Sequence, residues 1–376
     1  MSKARIDGLD YVFIRMARER PFVIATHRSQ EVVNVLLRVR SGGNEGIGVV
    51  APNIVTGDTP ESAIHFLQDL IGVLPSEELT VAQLHDLMSS ISEEDNAAKC
   101  GVDTAFHDLL ARMEGKPLCD LLGRVKDRIE TSVTIGIMGI QESLAAIHQR
   151  SMAGFQILKL KVGLDLDRDL YIINEVRRRY PKMVLRVDCN QAFTTEEANA
   201  FMEAITPIGI QFVEQPVDAD DVEGLCEVGR SSKIPVMADE SVRSAEDIER
   251  IGRLQGVRLV NIKLAKVGGI LPAIELSRRC EFHGMKAMVG CMSECEASIS
   301  AGLHFALSQD CVEYADLDSH LSLIDDPTSA ISMEKGFLST LPLPGLGIDL
   351  GSTDRQSIEG SHIDWKAIRY EKFNGW

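Results

Sequence analysis

The sequence has 376 residues, of which 44% are hydrophobic and 25% charged, so it predicts a folded globular protein of about two domains. Its 56 acidic residues outnumber its 39 basic ones, and the formal net charge is −17. Nucleic acid and membrane surfaces are therefore poor candidate partners, because phosphate backbones and anionic lipids repel such a chain. With no membrane-length apolar run, no visible signal peptide and eight cysteines at no metal-like spacing, we expect a cytoplasmic protein with reduced thiols.

The first third of the chain predicts a small α+β unit. Two extended apolar runs within residues 31–52 flank the Gly-Gly-Asn turn at 42–44, which indicates an antiparallel hairpin. Apolar residues then recur at helical spacing over 60–87 and again over 95–113, where a Gly-then-Pro terminator follows. We therefore expect an α+β capping domain over residues 1–125.

A different pattern follows, in which eight short Val- and Ile-rich runs alternate with charged helical segments. In chain order the runs are SVTIGI, FQILKLKV, MVLRVD, IQFVEQ, IPVMAD, VRLVNIK, MKAMVG and CVEYADLD. Their number and spacing predict parallel βαβ units closed into a TIM-type (β/α)7β barrel over residues 126–325. An open doubly wound sheet is the alternative, but no strand is followed by G-x-G-x-x-G. Residues 326–376, rich in Pro and Gly, are expected to pack back on the capping domain.

Most predicted strands end in a charged side chain. The first five of these charged residues are Lys161, Asp188, Glu214, Asp239 and Lys263. Each follows the previous one by 24 to 27 residues, which is the length of one βα repeat. In a barrel, this spacing places all five on the C-terminal rim, where active sites of this fold lie. The alternative for any single member is that it caps the next helix.

The acids and the lysines in this set suggest different chemistry. Asp188, Glu214 and Asp239 come from three adjacent strands and offer only hard oxygen ligands, which favours Mg²⁺, with Mn²⁺ as an alternative. Lys161 and Lys263 come from the second and sixth strands, so they should face each other across the barrel mouth. Lys159 precedes Lys161 by two residues and projects to the same face of its strand. Lys263 could instead be solvated, as we expect for Lys266.

These motifs together resemble the enolase superfamily, in its muconate-lactonizing-enzyme subgroup. The matching segments are K-L-K at 159–161, D-C-N at 188–190, E-Q-P at 214–216, A-D-E-S at 238–241 and N-I-K at 261–263, so Asn190 joins the candidate site. The resemblance covers nearly the whole chain and includes the helix that precedes the barrel. It implies that the three acids bind Mg²⁺, that Lys161 and Lys263 are acid/base catalysts assisted by Lys159, and that a proton α to a carboxylate is removed to give an enolate.

The eighth strand carries a further motif, Asp316-Leu-Asp318, which resembles that of the dipeptide epimerases, where the pair holds the substrate's α-ammonium. Residues i and i+2 of a strand share a face, so both carboxylates can project into the mouth. The resemblance thus implies an isomerase that inverts the C-terminal residue of a dipeptide by 1,1-proton transfer. The alternative for these acids is a helix cap beside a surface residue.

The side-chain preference of such an enzyme depends on residues around the mouth. Candidate substrate contacts are Arg28 and Ile54 or Thr56 from the cap, Thr134 on the first barrel strand, and Glu296 after the seventh. Glu296 would make a cationic or uncharged substrate side chain a competitor of glutamate, whose carboxylate Arg28 could still bind. The alternative is that Glu296 is solvated or paired with an arginine.

Two other functions remain open at this point. An N-acylamino-acid racemase or a cycloisomerase would use the same catalytic core without the Asp316–Asp318 pair. A barrel retained as a binding protein without turnover is the more remote alternative. The subgroup often forms symmetric assemblies, so a homo-oligomer is also an expectation, without a stated number of subunits.

Overall fold

The N-terminal part of the chain is an antiparallel sheet with helices packed on it, in a computed structural model that describes residues 2–53, 56–348 and 365–367. Its elements are β1 (Gly8–Val23), β2 (Arg28–Ser41), β3 (Asn44–Val50), α1 (Pro60–Val73), α2 (Val81–Ile91) and α3 (Asn96–Met113). The predicted hairpin is confirmed as β2 and β3, which pair antiparallel. Gly42 and Gly43 form its turn with φ of 52° and 85°, as a two-residue turn between twisted strands requires.

Strand β1 is the element of this unit that the sequence analysis did not predict. It pairs antiparallel with β2 along most of its length. Ile14, Met16 and Arg18 are buried, whereas the intervening Arg15 and Ala17 are exposed. This two-residue alternation is a strand pattern, but the charged side chains on both faces obscure it in the sequence.

The helical periodicity over 60–87 corresponds to two helices rather than one. Helix α1 ends at Val73, and Pro75 follows its C-cap, where a proline cannot continue a helix. Thr59 and Thr80 cap α1 and α2, and each hydroxyl accepts a hydrogen bond from a backbone amide in the first turn of its helix. The two capping boxes therefore separate what periodicity alone joins.

Helix α3 lies directly on the sheet because two glycines of β3 leave room for it. A Cβ at Gly48 would lie 2.1 Å from the carbonyl oxygen of Gly101, and a Cβ at Gly46 would lie 2.1 Å from that of Ala105. A side chain at either position would therefore push α3 off the sheet.

The barrel prediction is confirmed. The chain passes through α4 (Leu118–Leu121) and β4 (Ile129–Glu130), and the eight barrel strands follow as β5 (Val133–Ile135), β6 (Ile157–Lys161), β7 (Val184–Asp188), β8 (Val213–Glu214), β9 (Val236–Ala238), β10 (Leu259–Ile262), β11 (Lys286–Gly290) and β12 (Val312–Asp316). They pair in parallel in chain order. A parallel bridge between Thr131 and Ala315 joins the last strand to the first.

Helices connect these strands on the outside of the ring. Within residues 126–348 they are α5 (Ile140–Met152), α6 (Leu166–Arg179), α7 (Thr195–Ile205), α8 (Val222–Ser231), α9 (Ala245–Leu254), the short α10 (Leu264–Val267), α11 (Ile270–Phe282) and α12 (Glu296–Ala306). Polar side chains cap several of them, including Asp165, Thr194, Asp221 and Ser244. The strand that follows α12 leads into a 3₁₀ turn instead of an α-helix.

The segment after the barrel contacts both parts of the molecule. Its strands are β13 (Leu323–Ile324), β14 (Ile331–Glu334), β15 (Phe337–Thr340) and β16 (Lys366–Ala367). β13 and β16 pair with β1, whereas β15 pairs with β4. The amide of Leu346 donates to Asp108 Oδ1 of α3 at 2.6 Å. No helix in the described part of the chain combines the length and the apolarity needed to cross a membrane.

Candidate active site

A cavity of about 150 Å³ lies between the carboxyl ends of the barrel strands and the segment that joins β1 to β2. Its lining includes Lys159, Lys161, Lys263, Asp316 and Asp318. The structure thus brings residues from the second, sixth and eighth barrel strands to one place. This is the C-terminal rim, where the barrel architecture places active sites.

The three predicted metal ligands lie at the ends of adjacent strands. Asp188 and Glu214 are direct neighbours in the register of β7 and β8, and Asp239 follows β9. All three are at most 1% exposed. Asp188 Oδ1 accepts a hydrogen bond from the Asn190 amide at 3.0 Å, and Glu214 Oε1 accepts one from Asn261 Nδ2 at 2.9 Å. The carboxylates are therefore held by the barrel itself.

Lys159 connects these acids to the eighth strand. Its Nζ lies 2.9 Å from Asp188 Oδ2, 2.8 Å from Glu214 Oε2 and 2.7 Å from Asp316 Oδ2. Burial alone would lower the pKa of this ammonium, but the surrounding carboxylates raise it well above its ordinary value. Lys159 is therefore a fixed positive charge.

Lys161 and Lys263 flank the cavity from opposite sides. β6 and β10 are the second and sixth strands of an eight-stranded ring, so they are four steps apart. Lys161 Nζ donates to Asp188 Oδ2 at 2.5 Å, and Lys263 Nζ donates to Asp239 Oδ2 at 2.6 Å. Burial opposes the charged form of Lys263, but Asp239, Glu214 and Glu240 together outweigh it and raise its pKa. Each amine is thus positioned by a different carboxylate.

The expectation that Lys266 is solvated is wrong. This residue is 2% exposed, and its Nζ lies 2.7 Å from Asp239 Oδ1 and 3.2 Å from the Asn261 carbonyl oxygen. Lys266 follows Lys263 by three residues in α10, so both ammonium groups reach the same carboxylate. Burial lowers its pKa, and Asp239 opposes that effect.

Carboxyl groups outnumber lysines in this part of the barrel. Six carboxyl groups (Asp188, Glu214, Asp239, Glu240, Asp316 and Asp318) surround four ammonium groups (Lys159, Lys161, Lys263 and Lys266). Burial and then Asp188 raise the pKa of Glu214 to about 8. Burial and then Asp316 raise the pKa of Asp318 to about 6. The lysines therefore do not fully compensate the carboxylates around Glu214.

The carboxylates fit a divalent cation in their chemistry. Within the described ranges no three His, Cys, Asp or Glu side chains are drawn together closely enough to hold an ion, because ammonium groups lie between the acids. Lys159 is itself a cation between Asp188 and Glu214. The buried Glu214 Oε2 has that ion-pair contact but no hydrogen-bond donor of suitable geometry. An all-carboxylate set with an orphaned oxygen is what a hard cation such as Mg²⁺ would satisfy.

The two acids of the eighth strand share a set of donors. Asp316 Oδ1 accepts from Ser132 Oγ at 2.6 Å and from Thr134 Oγ1 at 3.3 Å. Asp318 Oδ2 accepts from the Thr134 amide at 2.6 Å. Thr134 also lines the cavity, so the structure places it beside both acids. The pair forms an anionic edge opposite the ends of β8 and β9.

A fully buried arginine below this pair was not predicted. Arg186 is buried in the barrel against the rings of Phe212 and Tyr314, with its Cζ 5.1 and 5.3 Å from their centroids, and the two rings pack edge to face on each other. Its Nη1 donates to Ser132 Oγ at 3.2 Å. Burial lowers the pKa of Arg186 to about 10, although Asp316 opposes the shift. The sequence shows only an arginine between two apolar residues, with no sign of its partners.

Backbone conformation also shapes the site. Asn190 and Gln215 adopt left-handed φ values of 43° and 36°, which are uncommon for residues other than glycine. Asn190 lines the cavity, and its Nδ2 donates to Glu240 Oε1 at 3.1 Å. Gln215 Oε1 accepts from the amide of Asp239 at 2.9 Å. Gln215, which directly follows the candidate ligand Glu214, therefore positions the candidate ligand Asp239 at the end of the next strand. The E-Q-P segment alone does not show this role.

Glu296 does not line the cavity. It is the first residue of α12, and its Oε1 accepts hydrogen bonds from the amides of Ala330 and Ile331 at 2.8 and 3.2 Å. The first turn of α12 directs the Glu296 side chain away from the cavity, and the side chain binds the segment that follows the barrel. The argument from this anion for cationic or uncharged substrate side chains therefore loses its basis.

The cap residues predicted as substrate contacts also lie elsewhere. Arg28 is exposed at the start of β2, outside the cavity. Thr56 Oγ1 donates to the Asn53 carbonyl oxygen at 2.9 Å and does not line the cavity, whereas Asn53 does. Ile54 lies outside the described residues. The guanidinium that reaches the cavity from the cap belongs instead to Arg18, on the unpredicted strand β1.

A capped eight-stranded barrel with lysines and carboxylates at its strand ends defines the general class as a barrel enzyme. The chain belongs to the mandelate racemase/muconate lactonizing enzyme family of the enolase superfamily. Residues 10–123 match "Mandelate racemase / muconate lactonizing enzyme, N-terminal domain", and residues 142–354 match "Enolase C-terminal domain-like".

Relatives within the family carry names that refer to different dipeptides. An L-Lys-D/L-Arg epimerase from Desulforapulum autotrophicum is 34% identical over 345 residues, which cover 89% of this chain and 96% of the relative. A substrate-liganded complex of the L-Ala-D/L-Glu epimerase from Bacillus subtilis has a TM-score of 0.88 at 31% identity, covering 92% of this chain and 98% of that chain. A dipeptide epimerase from Enterococcus faecalis V583, complexed with Mg and L-Leu-L-Tyr, has a TM-score of 0.88 at 30% identity, covering 92% and 99%. The side-chain preference of this chain must therefore be argued from its own residues.

Proposed function

We propose that this chain is a dipeptide epimerase, an isomerase that inverts the α-carbon of the C-terminal residue of a dipeptide by 1,1-proton transfer. The observation that carries the proposal is that Lys161 and Lys263 line one cavity from opposite strands of the ring. Inversion of a bound substrate removes a proton from one face of the α-carbon and adds a proton to the opposite face. Two opposed amines can carry out these two transfers. The relatives named above support the same reaction class.

Asp188, Glu214 and Asp239 are the residues that would hold a divalent cation. The bound ion, Mg²⁺ or by the same oxygen-ligand preference Mn²⁺, would supply positive charge to the substrate carboxylate as negative charge develops on it. Lys159, a buried ammonium beside two of these acids, adds a second fixed positive charge. Without these positive charges, the carboxylates of the pocket would repel the negative charge that develops on the substrate.

The two lysines exchange roles with the direction of the reaction. In one direction the neutral amine of Lys161 removes the α-proton, and the electrons of the C–H bond move into the substrate carboxylate. The ammonium of Lys263 then delivers a proton to the opposite face, so its N–H bond breaks as the new C–H bond forms. In the reverse direction Lys263 begins neutral and Lys161 begins protonated, which conserves atoms and charge.

Asp316 and Asp318 would bind the α-ammonium of the dipeptide. They form the anionic edge of the cavity on β12, while the candidate metal ligands lie on β7 to β9. A molecule with a carboxylate at one end and an ammonium at the other matches this polarity. An N-acylated amino acid or a cycloisomerase substrate has no ammonium to offer to the pair.

Solvent-deuterium exchange tests the assignment. In D₂O with Mg²⁺, the wild-type protein should exchange the α-proton of the C-terminal residue of both L-Ala-L-Ala and L-Ala-D-Ala. Lys161→Ala and Lys263→Ala should each lose exchange from opposite epimers, because each amine serves one face. The exposed Lys233→Ala is the control and should exchange both. Equal exchange from both epimers in either active-site variant would refute the two-base assignment.

A second experiment distinguishes dipeptides from N-acylated amino acids as substrates. Asp316→Asn should reduce exchange on dipeptides about tenfold or more, because it removes the charge partner of the ammonium. Unchanged dipeptide activity in this variant, with turnover of N-acetylated amino acids, would favour an N-acylamino-acid racemase.

Mg²⁺ should raise the thermal midpoint of the wild type, because a ligand that binds only the folded state stabilises it. Asp188→Asn should weaken that shift.

A further inference from the structure

Arg18 is a buried guanidinium without an acidic partner. It is 8% exposed and lines the cavity. Its Nε donates to Ser29 Oγ at 2.9 Å, its Nη1 to Ser322 Oγ at 2.9 Å and its Nη2 to Ser293 Oγ at 2.5 Å. In the described part of the chain, no Asp or Glu carboxylate lies within ion-pair distance of it. Burial of an unpaired charge is costly, so this position calls for an anion that the protein itself does not supply.

The donors of Arg18 are only partly used. A guanidinium has five N–H groups in a planar fork, and the three serines accept one hydrogen bond each from Nε, Nη1 and Nη2. One N–H remains on each terminal nitrogen, so the guanidinium keeps two donors for an anion. The serines hold the fork in place without neutralising it, so the guanidinium is preorganised for a carboxylate.

The Arg18 guanidinium lies on the same side of the cavity as the proposed ammonium site. Ser293 follows β11, Ser322 follows β12, and both line the cavity. Arg18 therefore lies between the cap and the loops of the seventh and eighth barrel strands, on the side of Asp318. The substrate carboxylate that would meet the cation on β7 to β9 belongs to another part of the ring. Arg18 is thus free to contact a different group of the same substrate.

The charges that line the cavity favour the same kind of substrate. Arg18, Arg150 and three lysines line the cavity together with Glu240, Asp316 and Asp318, and further carboxylates lie directly behind the lysines. Each of the three lysines has a carboxylate within ion-pair distance, whereas neither arginine has one among the described residues. A dipeptide with one acidic side chain would supply a carboxylate of the kind that these arginines lack. A cationic side chain would meet Arg18 with like-charge repulsion.

We infer that Arg18 binds a side-chain carboxylate of the substrate, so that the preferred substrates are dipeptides containing an acidic residue. The inference rests on the proposed dipeptide epimerase function and specifies the substrate class. The carboxylate can belong to either residue of the dipeptide, and the two arrangements are separate arms of the test.

The test compares kcat/KM for deuterium exchange on L-Ala-L-Glu, L-Glu-L-Ala, L-Ala-L-Ala and L-Ala-L-Lys. One of the two acidic dipeptides should exceed the other substrates by about tenfold, and which one it is assigns the position of the carboxylate. Arg18→Met should lower that preferred activity about 10- to 100-fold, as expected for loss of charged hydrogen bonds, and change activity on L-Ala-L-Ala by less than about threefold. Arg20→Met, an exposed residue two positions along the same strand, is the matched control and should leave both activities unchanged.

Several results would overturn the inference. A wild-type preference for L-Ala-L-Lys or L-Ala-L-Ala would do so without any variant. An equal loss on every dipeptide in Arg18→Met would show that Arg18 only joins the cap to the barrel loops. If that variant fails to fold, Arg18→Lys retains the charge without the fork and should lose selectivity for the acidic dipeptide. Absence of exchange on all four dipeptides would instead refute the proposed function, so the two failures are distinguishable.

Discussion

Removal of the Ser132 hydroxyl should weaken the substrate site through Asp316. Ser132 Oγ accepts from Arg186 Nη1 and donates to Asp316 Oδ1 at 2.6 Å, a shorter contact than the 3.3 Å to its other acceptor, the Ala315 carbonyl oxygen. A hydrogen bond to a charged group contributes about 1.5–3 kcal/mol. Asp316 retains Lys159 at 2.7 Å and Thr134 at 3.3 Å, so the lower value applies. A loss of about 1.5 kcal/mol corresponds to about a tenfold lower kcat/KM for a dipeptide in Ser132→Ala.

The assay is the initial rate of α-proton exchange over a range of dipeptide concentrations. Ser308→Ala is the matched control, since Ser308 is also buried but donates only to the Phe305 carbonyl oxygen at the end of α12. Both variants should lose about 1 kcal/mol of unfolding free energy, and only Ser132→Ala should lose activity. If kcat/KM of Ser132→Ala stays within about twofold of wild type, the reasoning that Ser132 positions Asp316 is refuted.

Two further predictions concern buried titratable groups. Lys266→Met should lower the free energy of unfolding by about 3 kcal/mol because it leaves Asp239 with one ammonium fewer, whereas the exposed Lys233→Met should change it by less than about 0.5 kcal/mol in the same urea titration. His304 Nδ1 accepts a hydrogen bond from the Cys119 amide at 2.9 Å, and burial, aided by a nearby arginine, lowers the pKa of His304 to about 3. Because the unfolded pKa is about 6.5, this group's contribution is fully present above that pH and falls as the pH drops towards 3, by about 2 kcal/mol at pH 5. Urea titrations at about pH 7 and pH 5 should show this loss in wild type and not in His304→Asn; equal pH dependence would contradict the prediction.

The sequence carried enough information for the barrel and for the charges at its rim. Parallel strands buried on both faces read as continuous apolar runs, and one charged residue at the end of each run recurs with the βα repeat. Because strand order follows chain order in this architecture, the positions of Lys161 and Lys263 around the ring could be predicted from counting alone. The same logic placed Asp188, Glu214 and Asp239 side by side.

Only the tertiary structure decided which charges face the cavity and which partners they have. Lys266 is buried because one turn of α10 brings it to Asp239, and Glu296 is turned away because the start of α12 directs it to the segment after the barrel. Arg18 enters the cavity from a strand that is distant in sequence from every barrel residue it contacts. Strand periodicity is a local property that sequence reports directly. The pairing of long charged side chains across elements depends on the relative placement of cap, barrel and following segment, which no local pattern records.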